Sequence, residues 1–155
     1  MTSRGRHSTS LYASPVTSAG SDDADLRYPT ITPYLYYQDA AAAIDWLNRA
    51  FGFTERLRIT AADGSVAHGE MAVGEDGAIM FGSAGPEYES PRGRAGVPSS
   101  LYVAVDDPDA HARRAREAGA EILEGPVDRP WGDREYAVAD LEGHRWVFWT
   151  RRRPK

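Results

Sequence analysis

The sequence predicts an α+β chain made of two β-α-β-β-β units, and three observations predict it. The first is the stretch from Arg129 to Thr150, which reads as a loop, a strand, a tight turn and a second strand. Pro130 and Gly132 punctuate the loop, and Glu135 to Ala139 is compatible with a strand. In the turn Asp140-Leu141-Glu142-Gly143, Gly143 can take the positive φ that a reversing chain often needs. Trp146 to Trp149 is an apolar run too short for a helix, so it reads as a buried strand. The second observation is that Met71 to Phe81 repeats this strand-turn-strand pattern through Gly74-Glu75-Asp76-Gly77. The third is a nearly constant spacing. Asp39 recurs as Asp107, Gly52 as Gly119 and Gly77 as Gly143, at offsets of 68, 67 and 66 residues. Landmarks in the same order at one period mark a duplicated unit.

Taken in order, Ile31 to Tyr37 alternates and is aromatic-rich, reading as a strand whose Pro33 favours an edge or a strand start. Asp39 is placed to cap a helix from Ala40 to Phe51, and Gly52 to end it. Ala43, Ile44, Leu47, Ala50 and Phe51 share one stripe of that helix. Strands follow at Phe53 to Thr60, Ser65 to Val73 and Ala78 to Phe81. A Pro- and Gly-rich linker, residues 85–98, separates module one (29–84) from module two (99–152). Ser99 to Val105 opens the second module. Asp107 caps its helix with Pro108 at the first position, Gly119 ends it, and Glu121 begins the next strand.

Composition bounds the function. The 155 residues suffice for one ordinary domain with a real core. A formal net charge of −5 gives no electrostatic reason to bind nucleic acid, and the basic tail Arg151, Arg152, Arg153 and Lys155 reads as solvated. No run approaches a membrane span. The absence of cysteine excludes disulfides, thiolate nucleophiles and Cys-ligated zinc. Residues 1–28 lack the apolar segment of a secretory signal and read as a disordered extension. The expectation is a cytoplasmic protein.

Several motifs resemble one family. Pro33-Tyr34-Leu35-Tyr36, Phe51-Gly52, Val66-Ala67-His68-Gly69-Glu70, Tyr102 to Asp107, Ala118-Gly119-Ala120, Trp131-Gly132-Asp133-Arg134 and Gly143-His144-Arg145-Trp146 are similar, in order and spacing, to the glyoxalase, bleomycin-resistance and extradiol-dioxygenase (vicinal oxygen chelate) superfamily, most closely its PhnB-like, glyoxalase-like branch. Leu141 departs from the proline usual after the turn aspartate. The resemblance implies two modules whose eight strands curl into a cup, helices outside and ligand inside, and a homodimer. Carried across by position, the family's metal ligands fall on Thr32, Met80 (or Phe81), Ser100 and Phe148. None offers imidazole or carboxylate, so neither the usual metal nor another cofactor is expected.

What remains is an aromatic lining. If Thr32 and Ser100 point inward, alternation sends Tyr34, Tyr36, Tyr102, Trp146 and Phe148 inward too, beside Met80, with Trp131, Asp133 and Arg134 at the rim. Such a cup favours a small planar or aromatic ligand, held without chemistry as resistance proteins hold drugs. The alternative is a metal-dependent lyase, isomerase or dioxygenase with an atypical site, for which His68 and Glu70 on one strand face are the catalytic candidates. His111 reads as a helix–sheet packing residue and His144 as a brace of its turn. Asp140 and Glu142 read as turn carboxylates.

Overall fold

The computed structural model describes residues 28–92 and 99–152. Residues 1–27 of the expected extension, 93–98 of the linker and 153–155 of the basic tail lie outside the described residues.

The element order is β1 (Tyr34–Tyr37), α1 (Ala40–Phe51), β2 (Thr54–Thr60), β3 (Val66–Val73) and β4 (Gly77–Ser83). It repeats as β5 (Ser100–Ala104), α2 (Pro108–Glu117), β6 (Glu121–Asp128), β7 (Asp133–Ala139) and β8 (Arg145–Arg151). Each module is one four-stranded sheet, ordered β1-β4-β3-β2 and β5-β8-β7-β6. The first strand of each lies parallel to the last, and the other pairings are antiparallel. The α+β class and the pair of βαβββ modules are as the sequence predicts.

The caps are where the residue types place them. Asp39 accepts from the Ala42 amide and Asp107 from the Ala110 amide, each at 3.0 Å. These bonds satisfy amides that a helix start would otherwise leave unpaired. Gly52 takes a left-handed φ of 76° and returns its amide to the Asn48 carbonyl. Two elements run longer than expected. β6 continues to Asp128 across Pro126, which an edge strand tolerates because no neighbour needs its missing N–H. β8 continues to Arg151.

One apolar core joins the helix-bearing faces of both sheets. Module one contributes Ile44, Leu47, Phe51, Phe53, Met71 and Phe81, and module two contributes Tyr136, Val138, Trp146 and Phe148. Phe51 meets Phe148 and Trp146 edge-on, at 4.8 and 5.6 Å between centroids, and Phe53 meets Trp146 at 5.4 Å. Edge-to-face rings of this kind add to the burial of their area. With these faces pressed together, the opposite face of each sheet is the one left open.

His111 confirms its packing role. Its ring stacks on Phe148 at 4.0 Å and bridges the Tyr136 hydroxyl to the Phe51 carbonyl, tying α2 to the end of α1. A carbonyl only accepts, so Nε2 carries the proton and Nδ1 accepts from Tyr136. Burial pushes the imidazole below its ordinary value, against the bond to Phe51, with Arg114 adding to the depression. A group that stays neutral in the fold but protonates when unfolded gives stability that is complete above the unfolded pKa of about 6.5 and is lost as pH falls below it. Urea denaturation at pH 7.5 and 5.5 should therefore show a weaker fold at the lower pH. His111→Gln, which keeps polar partners but cannot titrate, should flatten that difference.

Candidate functional site

Strand pairing decides which side chains share a face. Tyr34 pairs with Met80 and Tyr36 with Gly82, while Glu70 pairs with Met80 and Leu57. Tyr34, Tyr36, Met80, His68 and Glu70 thus share the open face of module one. The register left between Met80 and Phe81 resolves to Met80, because Phe81 is fully buried on the helix side. Tyr34 and Tyr36 keep 42% and 54% of their surface exposed, unusual for paired aromatic rings only 5.2 Å apart.

A hydrogen-bonded chain crosses this face. The Tyr28 hydroxyl donates to Glu70 Oε2 at 2.7 Å, Glu70 Oε1 lies 3.0 Å from His68 Nε2, and His68 Nδ1 lies 3.3 Å from the Tyr34 hydroxyl. Glu70 is only 4% exposed. Gly82 makes the last contact possible. A Cβ there would stand 2.9 Å from both the Tyr34 hydroxyl and the Ala67 carbonyl, so only glycine lets Tyr34 lie across β4 toward β3. The sequence signals His68 and Glu70 by their spacing, but nothing local signals Tyr28, which lies 42 residues from its partner.

Module two's open face carries Tyr102, 61% exposed, opposite Val147, with Trp149 and Glu135 paired beside them. Asp133 is held by Arg151 at 2.9 Å, and Glu135 by Arg129 at 2.7 Å. Trp131 stands 64% exposed under the Arg129 guanidinium. Two expected lining residues lie elsewhere. Trp146 and Phe148 are fully buried in the shared core, on the helix side. Taking Phe148 as the carried-over ligand position displaced the strand's parity by one residue, and Val147 and Trp149 occupy the open face instead. Arg134 also faces the helices, where it forms a two-pronged pair with Asp109 of α2 and reaches Asp128. Its hydrogen bond to Arg134 draws the Asp109 carboxyl below its ordinary value, and the same pairing raises Arg134.

The family's metal does not fit these positions. Thr32, Met80 and Ser100, with Val147 in place of the buried Phe148, offer no imidazole or carboxylate donor. Among the described residues, no group of three His, Cys, Asp or Glu is placed to hold an ion. Nor is any helix there long and apolar enough to cross a membrane.

Residues 28–148 match the family described as the Glyoxalase/Bleomycin resistance protein/Dioxygenase superfamily. The chain belongs to this superfamily. TioX from Micromonospora sp. ML1 is 37% identical, with a TM-score of 0.65 over 79% of this chain and 98% of that one. The uncharacterized protein Rv0887c of Mycobacterium tuberculosis is 33% identical over 123 residues, 76% of this chain and 72% of that protein. The anthracycline biosynthesis protein DnrV of Streptomyces peucetius is 28% identical over 123 residues, and the match spans only 43% of it.

The two kinds of aromatic in this superfamily member separate by experiment. Phe148→Ala should cost about 3–5 kcal/mol of stability, as large core truncations do. Tyr102→Ala should cost within about 0.5 kcal/mol, as an exposed substitution does. Urea midpoints of the two variants check this, and equal losses would contradict the assignment of faces.

Proposed function

We propose that the chain binds a small planar or aromatic molecule against its open sheet faces, by stacking and burial and without a metal. The observation that carries this reading is the exposure of Tyr34, Tyr36 and Tyr102, three rings held out of the core on the faces opposite the helices. Exposed aromatic clusters on a rigid sheet are a stacking surface ready for a flat ligand. The likeness to a protein named for anthracycline biosynthesis supports the same chemistry, since anthracyclines are flat fused-ring aromatics.

A homodimer goes with this reading. The helix-bearing faces of the two modules share one core, so the open faces of a single chain cannot close on each other across a ligand. A second copy, laying its module two against module one of the first, would make two enclosed sites from four half-sites. Sedimentation velocity should then report a dimer, and bound aromatic ligand should tighten it by mass action. A monomer that binds ligand with full affinity would remove the dimer from the reading.

Binding itself is tested by titrating tryptophan emission with an anthracycline, an acridine and a naphthoquinone, since Trp149 and Trp131 lie on module two's side of the site. Tyr36→Ala and Tyr102→Ala should each weaken binding by about 0.5–1.5 kcal/mol, roughly 2- to 10-fold. Silence across all three compounds would sink the reading.

A further inference from the structure

We propose that Tyr34, His68 and Glu70 form a proton-accepting relay that takes the proton of an acidic hydroxyl on the aromatic ligand and binds the ligand as its phenolate. This deepens the proposed function and rests on the open face of module one being the ligand site.

The direction of the relay follows from the donors and acceptors. An ionised carboxylate only accepts, so Glu70 takes a hydrogen bond from Tyr28 and another from Nε2–H of His68. Neutral His68 then has a lone pair on Nδ1, where the Tyr34 hydroxyl donates. With its own proton so committed, the exposed Tyr34 oxygen presents lone pairs outward. It suits a ligand that donates.

When a ligand hydroxyl approaches, its O–H bond breaks and the proton passes to the Tyr34 oxygen. The proton that Tyr34 held passes to His68 Nδ1. The ligand is left a phenolate and His68 an imidazolium, whose Nε2–H points at the buried Glu70 carboxylate 3.0 Å away. One proton has moved and nothing else is consumed. Burial and the neighbouring Tyr36 hold the Tyr34 phenol above its ordinary value, so Tyr34 passes a proton along and does not itself rest ionised.

The surroundings favour this charge arrangement. Facing His68 are Glu70 from its own strand, Tyr34 and Tyr36 from β1 and, through Glu70, Tyr28. β4 offers Ala78, Met80 and Gly82 on that face, none of them charged, and β2 offers Leu57 and Ile59. Arg56 stacks on the Tyr28 ring. Arg58 pairs with Glu55 and Asp45 instead. The nearest fixed charge to an imidazolium is therefore the negative one. A buried carboxylate is costly unless it is paired, and imidazolium formation completes that pairing.

Alizarin tests the relay, because this planar hydroxyanthraquinone absorbs at longer wavelength when its hydroxyl ionises. Its O-methylated ether, which has no proton to give, is the control, and binding of both is read independently by tryptophan quenching. Wild-type protein should bind alizarin and show the ionised band about one pH unit below where the free dye shows it, a tenfold shift in proton affinity. His68→Gln should bind the O-methylated ether within about threefold of wild type yet lose the shift with alizarin, and Tyr34→Phe, which keeps the stacking ring, should lose the shift as well. If either variant folds poorly by circular dichroism, the other serves alone, since each removes one link of the relay. Bound dye without the ionised band, or the band surviving in His68→Gln, overturns the relay and leaves the aromatic site standing. Failure of both dyes to bind removes the site and the relay with it.

Discussion

The contact on which the structure depends is the meeting of Phe51 and Phe53 with Trp146 and Phe148. It lies between the modules and uses only the helix-bearing side of each sheet. Two sheets can each bury one face in such a union, and neither can bury both. The tyrosines of β1 and β5 are therefore left outside by the same packing that holds the molecule together. Their exposure is a consequence of where the core is.

A second junction fixes the angle between the halves. The Asp140–Gly143 turn reaches back to module one, where Asp140 Oδ2 accepts from the Tyr37 hydroxyl at 2.7 Å and from Trp146 Nε1 at 3.1 Å. Glu142 accepts the amides of Gln38 and Asp39, and His144 donates to the Tyr36 carbonyl. Burial, and then the adjacent Asp140, hold the Tyr37 phenol well above its ordinary range. The other half has Gly74-Glu75-Asp76-Gly77 at the matching turn, and a groove of about 790 Å³ runs there between that turn and β5. The duplication kept the architecture and let the two junctions diverge.

Much of this was legible in the sequence. The repeat offset gave the modules, Asp39 and Asp107 gave the helix starts, and Gly52 gave a helix end, because caps are local chemistry. The open-face residues Tyr34, Tyr36, Met80 and Tyr102 followed from strand alternation in short strands with one apolar side. β8 resisted, because Trp146, Val147, Phe148 and Trp149 are apolar on both faces and alternation then carries no sign. Arg134 was read as part of a rim loop, but β7 begins at Asp133 and sends Arg134 to Asp109. Asp140, Glu142 and His144 read correctly as turn residues. Their longer reach, to residues 103 to 108 positions away, has no local signature.

The chain from Tyr28 to Tyr34 stands apart from these structural pairs. Arg134–Asp109, Arg129–Glu135 and Arg151–Asp133 each join a guanidinium to a carboxylate, so both charges are settled within the protein. Glu70, buried as deeply as any of these carboxylates, has among the described residues only an imidazole and a phenol in hydrogen-bond reach. Its negative charge is therefore met by His68, which is itself 29% exposed and turns its Nδ1 to the Tyr34 hydroxyl. The open face of module one thus joins two exposed tyrosine rings to a buried carboxylate by way of one imidazole.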